Sequence, residues 1–80
     1  MLFEGRAKIT MFADCGWMNE MIIYFSVECK NRKQVEEQIK DDYWSVGDNW
    51  HFQSGCEHNC IITIHVEKIL SCEEIIKKPA

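Results

Sequence analysis

Three runs of this chain alternate apolar and polar residues with a period of two. Arg6–Ala13 turns Ala7, Ile9, Met11 and Ala13 one way and Arg6, Lys8, Thr10 and Phe12 the other. Met21–Cys29 does the same with Ile23, Phe25, Val27 and Cys29 against Ile22, Tyr24, Ser26 and Glu28. Ile61–Glu67 sets Ile62, Ile64 and Val66 opposite Thr63, His65 and Glu67. Successive side chains of a strand point to opposite faces, so each run reads as a half-buried β-strand. Asp14–Asn19 has turn chemistry around Gly16, which joins the first two runs as a hairpin. A sheet with one apolar face needs a partner layer, and the rest of the chain must supply it.

The segment after the hairpin supplies a helix. Asn31 followed by Gln34 matches a capping box, and the spacing predicts a helix over Arg32–Asp42 with an apolar stripe at Val35, Ile39 and Tyr43. Its charges run against the macrodipole: Arg32 and Lys33 fall in the first turn, Asp41 and Asp42 in the last. Ser45–Asn49 reads as a turn. Trp50–Gln53 reads as a further short strand, with Trp50 and Phe52 opposite His51 and Gln53. Ser71 with Glu74 repeats the capping-box pattern and predicts a short helix through Ile75 and Ile76, closed by Lys77, Lys78 and Pro79. The expected fold is α+β: a four-stranded antiparallel sheet in the order β-β-α-β-β, one helix across a face and a short C-terminal helix. All of it forms one domain over residues 1–80.

An 80-residue chain buries only about 60 % of its unfolded surface, so a metal, a disulfide or a partner subunit is expected as a staple. The hydrophobic content of 46 % excludes a disordered chain. No apolar run approaches a membrane span, and Met1–Arg6 lacks the apolar segment of a signal peptide. The expected location is a reducing cytoplasm. A net charge of −4 with a pI near 5.2 argues against direct nucleic-acid binding and for a protein partner with a basic surface.

Five cysteines are an odd number, and in a reducing compartment such a set points to metal or catalysis. Cys56, His58 and Cys60 crowd into one loop, and thiolate and imidazole are preferred zinc ligands. The spacing is Cys-x3-Cys, one residue longer than the usual zinc knuckle. On the four-stranded topology, Cys29 ends the second strand beside this loop. The expected site is Cys29, Cys56, His58 and Cys60 holding one Zn2+, with His65 as an alternative ligand. Lys30, Arg32, Lys33 and the helix start would stabilise thiolates there. The same topology puts Cys15 and Cys72 at the far end as small apolar filler, and His51 and His65 on solvated strand faces. No orienting third group accompanies the cysteines, and no phosphate loop, dinucleotide fingerprint or Cys-x-x-Cys is present, so no enzyme is expected. Two other readings stay open. One is a regulatory zinc or thiol module binding protein or nucleic acid through Lys30, Arg32 and Lys33. The other is a thiol enzyme or redox carrier using the same cluster.

The succession Ile22–Val27, the acidic helix Gln34–Asp42, Trp50-His51-Phe52 and Ile61–Glu67 resembles the small acidic anti-CRISPR proteins encoded by phages. The likeness covers most of the chain and lies in size, charge and element order, without a shared motif. It implies a protein-binding inhibitor in the host bacterial cytoplasm that docks on a Cas effector such as Cas9 and blocks DNA loading or cleavage. Cas9 holds nucleic acid in positively charged channels, which an acidic surface can occupy. The candidate contacts are Glu36, Glu37, Asp41, Asp42 and Asp48.

Overall fold

The long strand β1 (Leu2–Ala13) is the spine of the fold, with β2 (Met18–Glu28) and β3 (Ile62–Ile75) pairing antiparallel on its two sides. The computed structural model describes residues 1–57 and 59–76. Helix α1 (Val35–Gln53), entered through a 3-10 turn at Arg32–Gln34, covers one face of the sheet. The alternation read from sequence sets the faces: Ala7, Ile9, Met11 and Ala13, Ile23, Phe25 and Val27, and Ile62, Ile64 and Val66 are buried. Val35 and Ile39 of α1 close the core over them.

The sheet has three strands, not four, and the described part of the C-terminal segment is strand, not helix. Two local errors produce that difference. First, the predicted helix end and the fourth strand are one continuous helix. Ser45–Asn49 looks like a turn, yet it is helical, and Trp50–Gln53 forms the last turn of α1. Gly47 marks a close approach: a Cβ there would lie 3.2 Å from both Ile62 Cγ2 and Ile64 Cδ1. A glycine costs a helix interior about 1 kcal/mol, and the tight seat of α1 on β3 offsets it. Second, Ser71 does not cap a helix. β1 begins at Leu2 rather than Arg6, and its extra residues pair with β3 as far as Leu2 opposite Ile75. The Ser71 hydroxyl accepts the amide of Arg6. Tertiary pairing thus overrides a local helix signal. Lys77, Lys78 and Pro79 lie outside the described residues.

The charge pattern of the helix changes meaning with its length. Glu36 and Glu37 occupy the first turn of α1, where the macrodipole favours them, while Asp41 and Asp42 sit mid-helix. The capping box is not realised: Asn31 makes no side-chain cap, and Gln34 Oε1 reaches past it to accept the amide of Lys30 at 3.0 Å.

Candidate metal centre

A helix of nineteen residues is about 28 Å long, so α1 carries the chain from the Cys29 end of the sheet to the opposite one. Among the described residues, no strand between α1 and β3 turns the loop back toward the Cys29 end. The loop after α1 therefore opens beside the β1–β2 turn, and this brings together Cys15, His51, Cys56 and Cys60. Their ligand atoms all lie within 4.8 Å of one another.

Each ligand has its own support. Cys15 sits in the hairpin turn, closed by Ala13 N–H donating to Trp17 O at 2.9 Å and Gly16 N–H to Ala13 O at 3.0 Å. His51 is buried in the last turn of α1 and presents Nε2 3.3 Å from Cys15 Sγ. The Trp17 ring meets the imidazole edge-on, with centroids 5.6 Å apart. Past Ser54, Gly55 takes φ of 87°, the left-handed conformation that ends many helices, and turns the chain so that Cys56 faces the turn. Cys56 Sγ is 3.8 Å from Cys15 Sγ and 3.8 Å from Cys60 Sγ. Asp14 Oδ1 accepts the amide of Ile61 at 3.2 Å, tying the residue after Cys60 to the hairpin.

The electrostatics of the group are uneven. The Cys15 thiol is drawn down to about 7, first by its hydrogen bond with the Trp17 backbone and then by His51 and Cys60. Burial, followed by the neighbouring Cys15 and Cys56, pushes Cys60 up to about 12. Three sulfurs and one imidazole nitrogen converging at these distances form a donor set for a soft or borderline cation. Such a cation would supply the positive charge that burial and the neighbouring thiols deny to a Cys60 thiolate.

Cys56 and Cys60, expected as ligands, belong to the group. His58 lies outside the described residues. Cys29 lies at the other end of the sheet, where it exchanges backbone hydrogen bonds with Met1 and its Sγ donates to Asn31 O. Cys72 is also far from the group, opposite Gly5, with its carbonyl accepting Arg32 Nη1 at 2.8 Å. Cys15, read as filler, and His51, read as a solvated strand residue, are the members that sequence reasoning missed. One signal for His51 was present: the apolar stripe Val35, Ile39, Tyr43 continues in steps of four through Gly47 to His51. His65 is exposed on the outer face of β3, 3.9 Å from Glu67.

Glu36, Glu37, Asp41, Asp42 and Asp48 are all exposed on α1. Lys40 pairs with Glu37 at 3.4 Å, and Asp42 accepts Gln38 Nε2 at 2.9 Å. Among the described residues, no helix is long and apolar enough to cross a membrane. No protein-family model matches the chain, and neither a curated protein nor a solved structure matches it.

Proposed function

We propose that this chain is a small, non-catalytic interaction module, stapled by one zinc ion, that docks the acidic face of α1 on a basic protein surface. The observation that carries the metal part is the geometry of the quartet. Zn–S bonds of about 2.3 Å and a Zn–N bond of about 2.0 Å in a tetrahedron require S···S edges of about 3.8 Å and S···N edges of about 3.6 Å. Two of the three sulfur–sulfur separations, 3.8 Å each, and one of the three sulfur–nitrogen separations, 3.3 Å, lie close to those edges, and all six lie within 4.8 Å. Cys3His is a standard structural set, and four protein ligands leave no position for substrate. Three thiolates favour zinc over the oxygen-seeking cations. A chain of this size also gains from such a staple.

The docking part rests on the exposure of Glu36, Glu37, Asp41, Asp42 and Asp48 along one helix, which gives a solvent-facing acidic surface held rigid by the sheet beneath. The narrower partner we propose, following the resemblance in size and charge, is a Cas effector with its basic nucleic-acid channel. Native mass spectrometry of the purified protein tests the staple: one zinc per chain is expected, and metal-free folded protein refutes it. A cleavage assay with guide-loaded Cas9 tests the partner. Inhibition by the wild type that is lost in Asp41→Lys/Asp42→Lys supports docking through α1. Undiminished cleavage with the wild type removes Cas9 as the partner.

A further inference from the structure

The two edges of this sheet are built differently. β3 carries the devices that blunt an edge: two register shifts against β1, between Arg6 and Ala7 and between Lys8 and Ile9, and the charged residues Glu67, Lys68, Glu73 and Glu74. Bulges and charges of this kind prevent a strand from being extended by another chain. β2 has no register shift, and its two charged residues, Glu20 and Glu28, stand outside its central run. It pairs with β1 in unbroken register from Glu28 opposite Leu2 to Met18 opposite Phe12. Its run Met21-Ile22-Ile23-Tyr24-Phe25-Ser26-Val27 contains no charge, proline or glycine. A long, flat, apolar edge of this kind is an aggregation hazard unless something covers it.

The ladder shows what the edge offers. Met1 and Cys29 exchange backbone hydrogen bonds, N–H to O at 2.9 and 3.0 Å. The antiparallel alternation then aims the odd-numbered residues of β2 at β1 and turns the N–H and C=O groups of Met18, Glu20, Ile22, Tyr24, Ser26 and Glu28 outward. The Tyr43 hydroxyl donates to the Tyr24 carbonyl at 3.3 Å, which leaves that oxygen a second lone pair. The same residues expose apolar side chains on the outer face of the sheet: Met18 at 63 %, Ile22 at 58 % and Tyr24 at 78 %.

We infer that β2 pairs antiparallel with the β2 of a second copy of this chain, across a two-fold axis at Ile23, to make a continuous six-stranded sheet. This register overlaps the whole strand, Met18 against the partner copy's Glu28. It sets Ile22 beside the partner copy's Tyr24 twice, a β-branched and aromatic cross-strand pair of the kind that stabilises sheets. It opposes Glu20 to Ser26 and Glu28 to Met18, so no like charges lie directly opposite and the two glutamates meet only on the diagonal near the strand ends. Two edges about 36 Å long, with the outer apolar side chains, form a contact of roughly 1,000 Å², the lower end for a specific interface. The occupant is a second copy because this register sets the uncharged residues Met21–Phe25 of the two strands against one another and covers both edges over their whole length. The inference does not depend on the metal.

Sedimentation velocity on the purified protein at about 100 µM, where an interface of this size is populated, is expected to give twice the 9.5 kDa of one chain. Tyr24→Lys and, separately, Ile22→Lys are expected to weaken the dimer about tenfold or more while the far-ultraviolet circular dichroism is retained. Amide hydrogen exchange gives a reading that needs no variant: the outward amides of Ile22, Tyr24 and Ser26 are expected to slow with rising protein concentration. A monomer at this concentration overturns the inference. So does a dimer whose Ile22, Tyr24 and Ser26 amides exchange at concentration-independent rates, because its contact would lie elsewhere.

Discussion

Replacing Cys15 and Cys29 one at a time by serine separates the geometry of the metal centre from the reading the sequence invites. Cys15 Sγ touches both His51 Nε2 and Cys56 Sγ, whereas Cys29 lies at the opposite end of the sheet. A ligand that binds only the folded state at a thousand times its dissociation constant stabilises by about 4 kcal/mol. For a domain of this size each kcal/mol moves the melting temperature by about 4–8 °C, so loss of the metal is worth about 20 °C. Cys15→Ser is therefore expected to lose its zinc in native mass spectrometry and to melt about 20 °C lower, near the value of chelator-treated wild type. Cys29→Ser loses one weak thiol contact to Asn31 O and is expected to keep the metal and to melt within about 3 °C of wild type. A Cys15→Ser protein with full zinc and an unchanged melt, or a Cys29→Ser protein without zinc, would refute the assignment of the quartet.

Further outcomes follow from the same structure. Asp14→Ala removes the acceptor of the Ile61 amide and is expected to weaken zinc about 10- to 100-fold, the usual effect of an outer partner, read by competition with a chromophoric chelator. In the metal-free protein Cys15, held at about 7, should be alkylated fastest, its rate rising from pH 6 to 8. Cys60, pushed up to about 12, should stay unreactive across that range, and mass mapping of the adducts reads the order. Because Cys60, pushed up to about 12, must give up its proton to bind, zinc affinity is expected to fall with every drop in pH across the working range, and more steeply below about 7, where Cys15 also takes up a proton. Gly47→Val drives branched methyls toward Ile62 and Ile64, 3.2 Å from the added Cβ. It is expected to cost about 1–3 kcal/mol in chemical denaturation, whereas Gly47→Ala is expected near neutral because the helix gains about 1 kcal/mol in propensity.

What was legible in the sequence was periodic. The faces of all three strands follow the alternation read from Ala7, Ile9 and Met11, from Ile23, Phe25 and Val27, and from Ile62, Ile64 and Val66. What was not legible depended on contacts between distant residues. Ser45-Val46-Gly47-Asp48-Asn49 has the composition of a turn and becomes helix because Gly47 lets α1 seat on Ile62 and Ile64. Ser71 and Glu74 have the spacing of a cap and become strand because they pair with Arg6 and Phe3 of β1, which reaches back to Leu2. The candidate metal group follows from the first of these differences. A strand at Trp50–Gln53 would reverse the chain and carry Cys56 and Cys60 toward Cys29; a continued helix delivers them to Cys15. Two members of the candidate group, Cys56 and Cys60, were legible from a local cluster, and Cys15 and His51 required the path of the helix.

The placement of the quartet also governs time. Its members come from the hairpin turn, the end of α1 and the loop before β3, so the complete donor set exists only after the helix has docked and the loop has closed. A metal held by all four stabilises contacts that form late, and contacts absent from the folding transition state slow unfolding while leaving the folding rate nearly unchanged. The ion would then act as a latch on a finished fold: it sets how long each folded molecule persists before opening, not how quickly a new chain finds its shape.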